Sequence, residues 1–308
     1  METLNTAFES FAAPETYHRV DGTHPLDLYI GVDEHLRWSL MLITDSEPPA
    51  VTPSRMIASQ KRQRTDGRWT LTLSLTDNAY KDIFLLFCGD IIDSSRPIAS
   101  KSKAVMFIIR RYKEWKEMLA DSRKDVLSGS QIKGLLGEMY YLQAYLAPQY
   151  GIDYAAMSWT GPDKLHQDFI FGDTWVEIKT ISSSKSEVSI SSVEQLDCSD
   201  PGELVVVCAD KTSTTNDKAL NLNMLYKHIL ETITDDSIKT DFSMKLLRFG
   251  YFPRSEYDAA EHTYEIKQVY RYSVTPSFPC LRRCDLPSSI VEANYSISLP
   301  SIQAFRKE

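Results

Sequence analysis

"HQDFIFGDTWVEIKT", residues 166–180, is the stretch whose reading decides the fold. Gly172-Asp173 is a two-residue turn sequence, because glycine tolerates the positive φ that hairpin turns demand. Closing the chain there pairs Phe171 with Thr174, Ile170 with Trp175 and Phe169 with Val176, and sets Asp168 across from Glu177. Alternation then puts Phe169, Phe171, Val176 and Ile178 on one apolar, core-facing side and Asp168, Glu177 and Lys179 on the other. Directly opposed residues have Cβ atoms about 4.5–5.5 Å apart, where two like charges destabilise a sheet unless something positive joins them. A divalent cation does so: Mg2+ takes one or two carboxylates and completes its shell with water and phosphate oxygen. Lys179, one side-chain step from Glu177, is placed to hold or deprotonate a water, or to steady charge developing on a phosphate. Such a face suits hydrolysis of a phosphodiester.

Upstream of the hairpin, "LSGSQIKGLLGEMYYLQAYLAPQYG" predicts a strong helix, with a start signal at Ser128 or Ser130 and a stop signal from Pro148 to Gly151. "AYKDIFLLFCGDII" and "SKAVMFIIRRYKEWKEML" carry helical spacings of three and four. Before residue 79 the chain reads as strands: "PLDLYIGV" and "LRWSLMLIT" flank the polar "DEH" as a hairpin would, and "GRWTLTLSLTD" alternates. The basic "KRQRTDGR" reads as a solvated loop, with phosphate contact as the alternative. Downstream, "SVEQLD" reads as a short helical piece, "ELVVVCAD" as a buried strand and "NLNMLYKHILETI" (221–233) as a helix. The tail from 247 is expected to return to strands, "RFGYF", "YEIKQVYRYSV" and "NYSISL". The expected organisation is a β-rich segment 1–100, a core 101–215, and a helix plus β-rich extension 216–308.

The 308 residues are 43% apolar and 25% charged, the balance of an ordinary globular chain. The longest apolar runs, such as "IFLLFC" and "LVVVCA", fall far short of the roughly 18–20 residues that span a bilayer, so no membrane association is expected. "METLNTAFESF" lacks the basic start and apolar run of a signal peptide. Five cysteines suggest reduced thiols and a cytoplasmic setting. The net charge of −8 argues against a general polyanion binder but not against basic residues gathered at one cleft.

Asp168, eight residues, then Glu177-Ile178-Lys179 resembles the PD-(D/E)XK nuclease superfamily, the restriction-endonuclease-like fold. The resemblance implies an α/β (mixed α+β) core, a central sheet flanked by helices, carrying the Asp and the Glu-x-Lys on neighbouring antiparallel strands. It also implies an upstream helix with a further acid, which "GLLGEMYYL" matches at Glu138. The apolar stripe of Leu135, Leu136, Met139, Leu142 and Leu146 sets Glu138 on that helix's flank. "GLLGE", "WTGPDKLHQDF", "VEIKT", "VEQL", "FPCLRRCDLP" and "YSISLP" look like one branch of the superfamily, encoded beside helicase-like and methyltransferase genes in bacterial antiphage islands. The family often has a proline before the Asp, where this chain has Gln167. The implied reading is a Mg2+-dependent DNA endonuclease, with Mn2+ able to substitute. Asp168, Glu177, the Ile178 backbone carbonyl and Glu138 would hold the metal, and Lys179 would position or activate the water. Gln195, by the same analogy, would support the site or contact DNA, with a plain exposed glutamine as the alternative. The implied partners are DNA, helicase-like and methyltransferase proteins, and a second copy of the chain.

Several features keep a plainer alternative. "SSSKSEVSISS" brings Ser182 and Lys185 just past the motif, where small donors suit phosphate oxygens, yet it is equally a polar loop and edge strand. A second Glu-Ile-Lys, Glu265 to Lys267, has no glycine turn, preceding acidic helix or apolar strand after Asp258, and reads as a solvated charge pair. His166 reads as a strand-end histidine, and Cys280 and Cys284 as unpaired thiols, since no second pair completes a zinc set. There is no GxxxxGK[ST] loop and no GxSxG elbow. The competing functions are a non-cleaving nucleic-acid-binding or scaffold subunit, and hydrolysis of RNA or a nucleotide.

Overall fold

The computed structural model describes residues 2–98, 100–121, 126–163 and 165–307; Lys164, inside the "WTGPDKLHQDF" motif, lies outside them. The chain forms two compact units, Met1–Arg123 and Lys124–Glu308. The helix assigned above to the core segment, "SKAVMFIIRRYKEWKEML", belongs to the first unit, and the whole of 216–308 to the second.

In the first unit a short helix α1 (Glu2–Glu9) precedes strands β1 (Thr16–Arg19), β2 (Leu28–Val32), β3 (Trp38–Thr44), β4 (Ile57–Gln63) and β5 (Trp69–Leu75). They pair antiparallel in the order β1-β2-β3-β5-β4. The "DEH" turn forms because the Asp33 carboxylate accepts the backbone N–H groups of His35 (2.9 Å) and Arg37 (3.0 Å) and the Arg37 guanidinium. The basic stretch departs from the expected loop: Lys61, Arg62 and Gln63 pair with Leu71, Thr70 and Trp69. Their charges lie on an edge strand, where they also guard against pairing with other chains. Helices α2 (Lys81–Ser95) and α3 (Lys101–Asp121) complete the unit. Asp90 ties them together, accepting from the Arg111 guanidinium at 2.7 Å and the Trp115 indole at 2.6 Å.

The second unit opens with α4 (Gly129–Tyr141), capped by Ser128, which accepts from the Gln131 N–H while the Gln131 side chain accepts from the Ser128 N–H. The helix continues through a π-helical turn (Leu142–Leu146) into α5 (Ala147–Tyr150) and stops at Gly151, whose φ of 87° a side chain would resist. Next come α6 (Ile152–Ser158), β6 (Phe169–Phe171), β7 (Thr174–Ile181), β8 (Glu187–Ile190), β9 (Gly202–Lys211), α7 (Leu222–Thr232), α8 (Asp236–Phe249), β10 (Tyr264–Val274) and β11 (Tyr295–Ser298). "SVEQLD" forms a 3-10 turn over Val193–Gln195.

The central sheet runs β10-β9-β7-β6, with β7 and β9 parallel and the outer pairs antiparallel. One face buries Phe169, Val176, Ile178, Val205 and Val207 against Leu135, Leu136 and Met139 of α4 and residues of α7 and α8. On the other, Trp175, Ile181, Leu204 and Val206 meet Val188, Ile190 and Ile297 of the β8–β11 pair. Burial on both faces is why "LVVV" is continuously apolar rather than alternating. The fold is thus mixed α+β, consistent with a restriction-endonuclease-like architecture.

"RFGYF", expected as a strand, is instead the end of α8. Asp235 caps the start by accepting from the Ser237 N–H, and Gly250 closes the end at φ 100°. Cap and stop signals were both present in the sequence, but the aromatic run around the glycine imitates a strand.

Candidate active site

The hairpin closes at Gly172 with φ 58°, and the pairs are Phe169 with Val176, Ile170 with Trp175 and Phe171 with Thr174. Positive φ at the first central residue alone is the backbone of a II′ turn. One step beyond, the Asp168 N–H still donates to the Val176 carbonyl at 3.1 Å, which brings Asp168 beside Glu177. There β6 ends, because the chain before it folds across. Trp159 bridges Phe169, and the Thr160 and Gly161 N–H groups donate to the Asp168 carbonyl at 2.8 and 3.1 Å. The Asp168 side chain then takes a backbone position: its Oδ2 accepts the Ile178 N–H at 2.7 Å. Strand alternation puts the Ile178 carbonyl on the same edge as that of Val176, facing the gap that β6 leaves.

The face carrying Glu177 and Lys179 is covered by the β8–β11 side, so the charges are not on an exposed polar surface. Glu177 is 1% exposed. Its Oε1 accepts from Lys179 Nζ at 2.7 Å and from Gln195 Nε2 at 2.6 Å. Gln195 Oε1 in turn accepts from Lys179 Nζ at 3.1 Å and from the Ser191 N–H at 2.8 Å, which fixes the orientation of its amide. Gln195 therefore clamps the acid and the lysine together. Glu177 Oε2 is buried and has no hydrogen-bond partner among the described residues. Gln167, where the family often has proline, donates its amide to the Glu194 carbonyl at 2.8 Å and so ties Asp168 to the turn bearing Gln195.

Glu138 arrives from α4. A Cβ on Gly137 would overlap the Thr180 hydroxyl, so this glycine lets the helix approach β7 closely enough for the next residue to reach the site. Glu138 Oε2 accepts from the Trp159 indole at 2.8 Å. A Cβ on Gly161 would fall 2.7 Å from that oxygen and 3.2 Å from Asp168 Oδ1, so two carboxylates border one small space that only glycine leaves open.

Electrostatics follow from this crowding. Burial, joined by the charge of Asp168 and then of Glu177, holds the Glu138 carboxyl well above its ordinary range. Burial likewise raises Glu177 against the pull of Lys179, with the Asp168 charge adding to the shift. Asp168 is pushed up to about 6 by burial, opposed by the Ile178 N–H and the Lys179 ammonium.

The site fits a divalent cation on three observations: the orphaned buried oxygen of Glu177, the glycine-floored space between Glu138 and Asp168, and an all-oxygen donor set. As the side chains stand, no group of three or more His, Cys, Asp or Glu among the described residues is poised around one point. Mg2+ needs only one or two carboxylates, the rest of its shell being water and phosphate oxygen.

Other candidates lie elsewhere. Ser182 accepts from Lys133 Nζ at 2.9 Å at the far end of β7, on its helix-facing side, and Lys185 is exposed. Glu265 and Lys267 form an ion pair of 2.8 Å on β10. His166 is exposed, and Cys280 and Cys284 are free thiols. Trp159 and Gly161 were not singled out from sequence, and Gln167 only as the residue standing where the family often has proline. The only signal was the Trp-Thr-Gly-Pro turn ahead of the Asp, which says that the chain folds back there but not onto what.

The model of a family described as "Putative PD-(D/E)XK family member, (DUF4420)" matches residues 4–300. No curated protein and no solved structure matches the chain. No helix among the described residues is long and apolar enough to cross a membrane.

Proposed function

The chain belongs to the DUF4420 family of PD-(D/E)XK members, and we propose that it is a Mg2+-dependent DNA endonuclease. The observation that carries this reading is a buried Glu177 with one oxygen unpaired among the described residues, beside Asp168 and locked to Lys179 by Gln195. An uncompensated buried carboxylate oxygen is costly, and a bound cation would compensate it.

Asp168, Glu177 and the Ile178 carbonyl would hold the ion, with Glu138 completing the acidic set. When bound, the cation supplies positive charge to the phosphate and favours ionisation of the attacking water. Lys179 Nζ, fixed by two acceptors, orients that water and donates toward the phosphate oxygens. Gln195 keeps Lys179 and Glu177 in register, and Asp168 gains rigidity from the Ile178 N–H. Ser182 and Lys185, with Lys133, would meet phosphates away from the bond that breaks. The family resemblance supports a role in restriction-type phage defence in the cytoplasm, with helicase-like and methyltransferase partners choosing the target and a homodimer cutting both strands.

A second reading, a non-cleaving nucleic-acid-binding subunit, is favoured by the lack of a preformed trio of ligands among the described residues. Supercoiled plasmid with Mg2+ or Mn2+ separates the two. Wild type is expected to nick it, and Asp168→Ala and Lys179→Ala to lose at least about 100-fold. Equal, negligible nicking by all three, with binding retained, would favour the non-cleaving subunit. Competition with RNA and free nucleotides tests the substrate class.

A further inference from the structure

Glu138 is held by a chain of contacts that the cleavage chemistry does not use. Trp159 is fully buried and donates its indole N–H to Glu138 Oε2 at 2.8 Å. The same indole nitrogen lies 3.4 Å from the point where a Cβ on Gly161 would sit, so it borders the space shared by Glu138 and Asp168. Behind it stands α8. Lys245, only 6% exposed, donates to the Trp159 carbonyl at 2.8 Å and pairs with Asp241 at 3.3 Å. One turn earlier, Phe242 packs on the Trp159 ring with centroids 5.3 Å apart. A lysine so deeply buried is uncommon, and its ammonium bonds the backbone of the residue that orients Glu138.

We propose that Trp159 is a positioning residue for the divalent-cation site, fixing the Glu138 carboxylate through Oε2 beside the space it shares with Asp168, and that Lys245 holds Trp159 in place. Repulsion from Asp168 would otherwise turn the Glu138 side chain away from the pair. An indole N–H is a donor without charge, so it fixes the carboxylate while leaving its negative charge to the cation. A lysine or arginine in its place would fix the side chain and cancel that charge, as Lys179 partly does for Glu177. α8 thereby becomes part of the site's support.

The inference rests on the endonuclease reading, and binding of Mn2+ alone to the full chain, followed by electron paramagnetic resonance of the free ion, tests it apart from activity. Trp159→Phe, which keeps a ring on Phe242, is expected to weaken Mn2+ on the order of 10-fold, within the range for such supporting partners. In a Glu138→Gln background the same substitution should weaken it less than about twofold, because both act through one carboxylate. Lys245→Met keeps the Trp159 indole but removes the ammonium that holds its backbone, and should weaken Mn2+ in the same background-dependent way; it carries the test if Trp159→Phe does not fold. Wild-type affinity in these variants, or an equal loss in both backgrounds, would overturn the proposal. Loss of Mn2+ in Asp168→Asn but not in Trp159→Phe overturns this inference alone. A wild type that binds no better than Asp168→Asn overturns the endonuclease reading with it.

Discussion

Asp168, Glu177 and Glu138 repel one another across a small space. A carboxyl held above its free range binds its proton more tightly in the folded than in the unfolded chain. Folded stability therefore falls as pH rises from about 4, the free range, through about 6 for Asp168. Asp168→Asn keeps an oxygen for the Ile178 N–H and removes the charge. In metal-free buffer at pH 7 it is expected to melt at the wild-type temperature or above, with the advantage shrinking by pH 5. Scanning calorimetry at the two pH values checks this, and a variant several degrees less stable at pH 7 would contradict it. Gln195→Leu removes the partner of both Glu177 and Lys179. Its stability in urea should drop about 1–2 kcal/mol and its cleavage about 10- to 100-fold. Asp168, Glu177 and Lys179 could be read from their spacing because a hairpin's register is local. Trp159 and Gly161 could not, since their meeting with Glu138 depends on how a helix packs against a sheet.

α4 carries two glycines with opposite consequences. Gly137 touches Thr180, and a Cβ there would overlap its hydroxyl, whereas a Cβ on Gly134 meets nothing within 4 Å among the described residues. Gly137→Ala should cost about 1–3 kcal/mol by forcing the helix off β7, and should carry Glu138 away from the site. Gly134→Ala should stabilise by about 0.5–1 kcal/mol through helix propensity, with cleavage unchanged. Urea unfolding and plasmid nicking of the two variants side by side test the contrast, and equal effects would show that the close approach does not matter. Elements with a strong period and clear ends, such as β5, α4, β9 and the β6–β7 hairpin, follow from local patterning. Errors fell where local signals conflict. The charges of "KRQ" imitate a loop but sit on a paired edge strand, and the aromatics around Gly250 imitate a strand at a helix end.

Each unit has its own sheet, and every residue of the acidic site lies in Lys124–Glu308. Sequence showed a β-rich start and a mixed core. It did not show that α3 belongs with the first sheet, because that follows from the Asp90 contacts to Arg111 and Trp115, which no periodicity encodes. A cation that binds only the folded site stabilises it by mass action. Saturating Mn2+ is therefore expected to slow amide exchange across α4 and β6 to β9 and to leave the first unit's strands unchanged; protection in the first unit alone would contradict the assignment. The most direct test is anomalous diffraction from a crystal soaked in Mn2+. A peak within about 2.0–2.6 Å of oxygens from Asp168 and Glu177, on the side of the Ile178 carbonyl, is the expected result. Ordered carboxylates with no peak between them at saturating Mn2+ would contradict it.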